Sequence, residues 1–469
     1  MDMEPARRIE AYLNARGVAF RLLPHHQTTT LAEAARAVGI KFNQMVRAVM
    51  LQDGEGLLMA VIPAHHLLDF ATLGRVLGRT VQPASREHLT TTFPDCEPGS
   101  IPPLAEPYGL SAIIDEQISQ IGEVYFEPGS REYLLSVSGA DFMQLNHLSR
   151  RAVFSRPSAT LVSHDNYEFV AGDAGGEARA LHPLTDLQQK ISDVESLPLL
   201  PQSTHELLRM RNDPHATIAQ LAKIVSLDPS LAAQVVRYAR SAYYGYRGKV
   251  ETLQQAITQV LGFDMVLYMA LGLSTAKALQ MPADGPLGMR AFWRHSVYTA
   301  SLAQALNTLL PPATRGKPGL VYLAGLLHDF GFLLLGHLFR AEFFLLNKTV
   351  AANPSVPVTL IEKRILGVEH TQIGTWLLRH WDMPEEVCVT TQEHHNEYYR
   401  GPHASYANLV LLADHLLKGS FISDAAAAEP PPVILTALGL DEERVMEVTR
   451  KVLDESRTGL DEMARAIAA

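Results

Sequence analysis

The stretch LLHDFGFLLLGH, residues 326–337, sets a histidine beside an aspartate inside an apolar run. Leucine, phenylalanine and glycine on both sides send the chain indoors. A carboxylate there is costly unless it is paired, hydrogen-bonded or bound to a metal. Other metal-capable residues recur on apolar segments nearby: His295 in FWRHSVYTA, His370 in GVEHTQIG, His394 and His395 in TQEHHNEYY, and Asp414 in LLADHLL. One histidine in a helix is an ordinary core residue. Imidazoles and carboxylates repeated in this way suit zinc, iron or manganese, and a shared carboxylate can bridge two ions.

The surroundings of this run are helical. From Ile191 onward apolar residues recur at i, i+3 and i+4, as in IAQLAKIVSLDPSLAAQVVRYA, and DPHAT, DPSL and MPEE carry helix-start chemistry. The first 147 residues differ. ARRIEAYLNARG and TLAEAARAVG predict helices, whereas QMVRAVMLQD, GLLMAVIPA, LSAIIDEQI and EVYFEPGSREYLLSVSG predict strands between Gly, Asp and Pro turns. The expected fold is therefore multidomain: an N-terminal α/β domain with a mixed sheet and helices over 1–147, then an all-α domain over 190–420. A polar, Gly-rich linker is expected over 148–189. The segment 421–469 is expected to be a helical tail after the short hinge AAAAEPPP (425–432).

With 469 residues the chain exceeds one compact core. Hydrophobic residues make up 47% and charged ones 19%, with mean hydropathy near zero, as in ordinary soluble protein. The net charge of −10 argues against a broadly basic nucleic-acid surface, and no DNA partner is expected. Cys96 and Cys388 stand alone, outside any CxxC spacing, which removes a cysteine-based zinc site. The N-terminus lacks the apolar core of a signal peptide, and LVYLAGLLHDFGFLLLGHLF (320–339) carries ionisable residues. No membrane association and a cytoplasmic location are expected.

The order H…HD…H…HH…D resembles the HD superfamily of metal-dependent phosphohydrolases. LPLLPQSTHELL, IVSLDPSLAAQVVRYARSAYYG and TLQQAITQVLGFD, with the segments around the histidines, make the chain similar to the HDOD branch associated with bacterial signalling. The resemblance implies that His295, His328, Asp329 and Asp414 hold one divalent ion. Asp329 would bridge to a second held by His370, His394 and His395, the ions being iron or manganese. The sequence departs from the phosphodiesterase branch at Phe332, where that branch has a lysine, and HHNEYYRGPHA stands in place of its GYP stretch. An HDOD output domain working through protein partners is one implied function; a metal-dependent phosphohydrolase is another.

TTTLAEAARAVGIKFNQMVRAVMLQDGEGLLMAVIPAHHLLDFATLGRVLG and the segments 94–116 and 122–145 resemble the YbaK/ProX-type aminoacyl-tRNA editing domain. Gly99-Ser100-Ile101-Pro102-Pro103 fits that family's GxxxP loop, whose backbone amides can cradle a carbonyl or terminal adenosine. Gly99, Ser100, Pro103 and Arg47 are the implied ligand-binding residues. Arg47 stands where the family has a lysine needed for deacylation. Arginine keeps the charge, will not deprotonate, and can dock a phosphate or carboxylate bidentately; alternatively it is a surface arginine on an exposed strand face. Residues 1–150 carry 12 Lys and Arg against 17 Asp and Glu, a net −5, which disfavours a broad grip on tRNA. A sensor of an aminoacyl or nucleotide-like ligand is the expectation, with trans-editing of aminoacyl-tRNA as the alternative. YARSAYYGYRG (238–248) reads as helix-end packing rather than a base-stacking platform, and His25-His26 and His65-His66 as loop or strand residues.

Overall fold

The computed structural model describes residues 7–157 except 27, 29, 30, 85 and 98, residues 199–417 except 242, 243, 245, 247, 354 and 355, and residues 430–468 except 456. Most of the expected linker, the AAAAE part of the hinge and parts of YARSAYYGYRG lie outside these described residues. The chain divides into two units: residues 1–186 with Lys348–Arg364, and residues 187–347 with 365–469.

The N-terminal unit contains β1 (Phe20–Pro24), β2 (Val46–Asp53), β3 (Gly56–Pro63), β4 (His66–Leu68), β5 (Gln82–Pro83), β6 (Ser111–Asp115), β7 (Glu123–Phe126), β8 (Tyr133–Ser138), β9 (Arg150–Ala152) and β10 (Ser155–Pro157). The main sheet runs β5-β2-β3-β6-β9, antiparallel from β5 to β3 and parallel from β3 to β9. A second sheet runs β1-β8-β7, and β10 pairs with β4. β9 and β10 fall at the start of the expected linker. Their three-residue lengths are too short for an alternating pattern to show.

Strand residues alternate between faces, and here both faces are covered. Val46, Met50, Met59 and Val61 join one core with Ile9, Leu13, Phe126 and Phe142. Val49, Leu51, Leu58, Ala60 and Ile62 join another with Leu68, Leu73, Phe154 and Ala352. Ala352 belongs to the segment Lys348–Arg364, which lies inside the stretch expected to be purely the helical domain.

In the helical unit, Thr217 caps helix Ile218–Ser226 in a capping box with Gln220, and Asp228 caps helix Pro229–Ala239. Helix Met289–Asn307 packs on Pro318–Leu327, Ala404–Leu417 and Arg457–Ala468. Arg294 Nε and Tyr298 Oη both donate to Asp461 Oδ1, at 3.0 and 3.1 Å. The C-terminal helices thus share the helical unit's packing; amphipathic periodicity fixes a buried face without saying what it meets. Tyr238 is buried against Tyr244 and Tyr322, as helix-end packing requires. The run Pro318–Leu338 is long and apolar enough to cross a membrane, and 94% of its apolar window is buried inside the fold.

Candidate functional site

His328 and Asp329 lie where helix Pro318–Leu327 passes into helix Phe330–Leu338. Two glycines let neighbouring backbones close on this junction. A Cβ on Gly325 would stand 2.7 Å from Ala300 Cα, and one on Gly331 would stand 2.0 Å from the His370 carbonyl oxygen. His295 comes from helix Met289–Asn307 and His370 opens helix His370–His380. His394 and His395 follow helix Glu385–Glu393, and Asp414 lies on helix Ala404–Leu417.

Asp329 is the hub. Its Oδ2 lies 3.3 Å from His328 Nε2 and 3.6 Å from His295 Nε2. Its Oδ1 lies 3.2 Å from His370 Nε2 and 3.4 Å from His394 Nε2. Each carboxylate oxygen therefore serves a different pair of imidazoles. Asp414 Oδ1 adds a donor 3.3 Å from His295 Nε2. His395 is exposed, yet its ligand atom lies within 4.8 Å of those of Asp329, His370 and His394. All seven residues singled out in the sequence thus converge.

The donor chemistry fits a divalent metal. His328 Nδ1 lies 2.7 Å from the Gly325 carbonyl and His394 Nδ1 lies 2.9 Å from that of Thr391, so Nδ1 carries the proton in both rings. When neutral, these rings turn bare Nε2 lone pairs inward. There, His295 Nε2 lies 3.2 Å from His328 Nε2, and His370 Nε2 lies 3.3 Å from His394 Nε2. Two facing lone pairs need a proton or a cation between them. Burial holds His394 down at about 4 against the pull of Asp329, which keeps it neutral and free to ligate. Burial also opposes the charge of Asp329, but the charge of His328 when that ring is protonated, with the close imidazoles of His328, His370 and His394, holds its carboxyl well below the usual range.

The N-terminal residues form two groups. Gly99 has φ +88°, and a Cβ there would press on Arg131 Nη2 at 2.7 Å. Ser100 is fully buried, with its amide bonded to the Glu97 carbonyl, while Glu97 binds the Gly129 carbonyl and the Arg131 amide. Pro103 is buried beside it. Burial raises the neighbouring Glu127 carboxyl to about 7, although Ser100 and Arg131 pull it down. An acid with a raised folded-state value holds its proton more tightly when folded. Its stability contribution is therefore lost as pH rises from the ordinary carboxylate range through about 7. Thermal stability of the N-terminal unit is expected to fall between pH 5 and 8, and Glu127→Gln is expected to flatten that fall in calorimetry.

Arg47 is not on an exposed face. It points from β2 toward the core that contains Val49, Leu51 and Ala352, and is only 7% exposed. Its Nη2 donates to the His66 carbonyl at 3.1 Å and to Asn353 Oδ1, and its Nη1 donates to the Ala352 carbonyl at 3.2 Å. Among the described residues, no hydrogen bond joins Arg47 to the loop Gly99–Pro103. Sequence reasoning missed both Asn353 and a buried relay below the site. His66 Nδ1 lies 2.9 Å from Ser155 Oγ, which donates to Asp115 Oδ2 at 2.7 Å. The paired histidines were visible, but a serine 89 residues away gave no signal.

Two family models match separate stretches of the chain, and the one over residues 197–397 runs through the segment Lys348–Arg364. Residues 197–397 match the HDOD domain, and residues 25–145 match the aminoacyl-tRNA editing domain. A solved structure from Marinobacter aquaeolei VT8, described as a candidate signal transduction protein, is 27% identical with a TM-score of 0.79. That likeness covers 98% of this chain and 99% of that one. An HDOD domain protein of unknown function from Geobacter sulfurreducens is 25% identical with a TM-score of 0.50, covering 60% of this chain and 97% of that one. An uncharacterized protein of Treponema pallidum is 24% identical over 218 residues, 45% of this chain; the match spans 40% of that curated relative's length.

Proposed function

We propose that this chain, which joins an aminoacyl-tRNA editing domain to an HDOD domain, is a bacterial signalling protein that acts through protein contact. The N-terminal domain would be its ligand sensor and the helical domain its output. The observation that carries this reading is Phe332. Its ring stacks on His370, with centroids 4.2 Å apart and planes at 19°. The phosphodiesterase branch, by resemblance, has a lysine at this place. Here an apolar ring covers one imidazole of the cluster and offers a phosphate no charge.

In this reading His295, His328, Asp329 and Asp414 would hold one divalent ion and His370, His394 and His395 a second, with Asp329 shared. Iron or manganese would suit these nitrogen and oxygen donors. Bound there, an ion supplies positive charge that ties several helix ends together. Asp329 and Asp414 bring the negative charge that neutral imidazoles lack, and the Nδ1 hydrogen bonds of His328 and His394 orient their rings. The intact donor set favours a second reading, metal-dependent phosphohydrolysis. Trans-editing has less support, because Arg47 is engaged by carbonyl oxygens.

Hydrolysis of bis(4-nitrophenyl) phosphate with added manganese or iron separates the first two readings. Wild type is expected to stay at the background of metal alone, and metal-loaded protein to bind a partner that Asp329→Ala does not. Turnover abolished by Asp329→Ala would overturn the contact reading in favour of the phosphohydrolase.

A further inference from the structure

Arg47 is a buried cation whose hydrogen bonds to described residues all go to neutral oxygens. Its Nε has no hydrogen-bond partner among the described residues. Placing a guanidinium indoors without a countercharge is costly, and burial lowers its proton affinity to about 10. What fills the space before the guanidinium is the chain's own segment Ala352-Asn353. The two Nη groups each take one oxygen from it, the Ala352 carbonyl and Asn353 Oδ1. That is the two-point pattern a carboxylate offers an arginine fork, but without the charge.

The segment is itself built in. Asn353 is fully buried, its Nδ2 donates to the Thr349 carbonyl at 2.6 Å, and its amide donates to that of Val350 at 3.0 Å. Lys348 Nζ sits 4.4 Å from the centre of the Phe70 ring. Every one of these residues belongs to the N-terminal unit.

We propose that Arg47 is the receptor for a small organic carboxylate, and that Ala352-Asn353 is the intrachain occupant such a ligand displaces. The inference deepens the sensor reading of the N-terminal domain and rests on it. A carboxylate exchanges two neutral acceptors for a charged bidentate partner, and so supplies the countercharge the site lacks. The segment supplies its oxygens at the effective concentration of a tethered group, so weak ligands are excluded.

The test uses the full chain and hydrogen exchange of peptides spanning 348–364. The probes are N-acetyl-L-alanine, which bears a carboxylate, and N-acetyl-L-alanine amide, which does not. The carboxylate is expected to speed exchange of these peptides severalfold in wild type, and the amide to leave them unchanged. Arg47→Met is expected to abolish the response. Asn353→Ala, which leaves Arg47 in place and weakens the occupant by about one hydrogen bond, is expected to lower the half-saturating concentration by about tenfold. It keeps the test decisive should Arg47→Met fail to fold. No response in wild type at saturating carboxylate, or an equal response to the amide, would overturn the proposal. So would an Asn353→Ala profile identical to wild type. Partner binding by the metal-loaded helical domain is read separately, so failure here is distinguishable from failure of the signalling reading.

Discussion

Asp329→Ala is expected to strip the helical domain of divalent metal, lowering bound metal by about tenfold or more in protein purified without oxygen or chelators. The reason is position. Oδ2 faces His328 and His295 while Oδ1 faces His370 and His394, so one substitution removes a donor from both halves of the cluster. Elemental analysis of wild type beside variant checks it; equal metal in the two would exclude Asp329 as the hub. In chelator-treated protein the same residue has a second signature. Its carboxyl is held well below the usual range, so its stabilisation is present above that range and lost as pH falls through the depressed value. The melting-temperature gap between wild type and variant is therefore expected to be open at pH 7 and to narrow in strong acid.

Gly331→Ala is expected to be nearly as damaging without touching a ligand. The new methyl would stand 2.0 Å from the His370 carbonyl oxygen and 2.6 Å from its carbon, both backbone atoms. Helix Phe330–Leu338 and helix His370–His380 would have to separate, at about 3 kcal/mol or more. His370 moves with that backbone, so in the proposed two-ion site the half containing His370, His394 and His395 should lose metal before the other. Gly122→Ala is the control: nothing lies within 4 Å of its Cβ, and its stability should change by no more than about 0.5 kcal/mol. Denaturant unfolding with metal analysis reads both variants.

The cluster was legible in the sequence because its residues are chemically out of place. A histidine–aspartate pair flanked by Leu327 and Phe330 needs a reason to be there, and similar oddities at 295, 370, 394 and 414 supply a shared one. The strands of the N-terminal domain were legible for a related cause, the punctuation by Gly, Asp and Pro between β-branched and aromatic runs. The placement of Lys348–Arg364 was not. Its residues have ordinary helical periodicity on both sides of Asn353, and periodicity gives a face its polarity without naming its partner. The alternative that set Arg47 on an exposed strand face failed by the same limit: alternation along β2 puts it on a face, but the cover of that face comes from 305 residues away.

The same separation bears on how the protein is made. Ala352 completes an apolar core built otherwise from residues 49–154, and Asn353 meets an arginine 306 positions upstream. A nascent chain thus carries an unfinished N-terminal domain, with a hole at the Ala352 position and two guanidinium contacts unmade, until most of the helical part has left the ribosome. Loop closure over such a length adds only a logarithmic entropy cost, so the finished contact is stable once formed. A fragment ending at residue 157 would stay permanently in the unfinished state. The two domains adjoin in sequence like separate beads, yet neither the order of synthesis nor a cut at the linker can treat them as such.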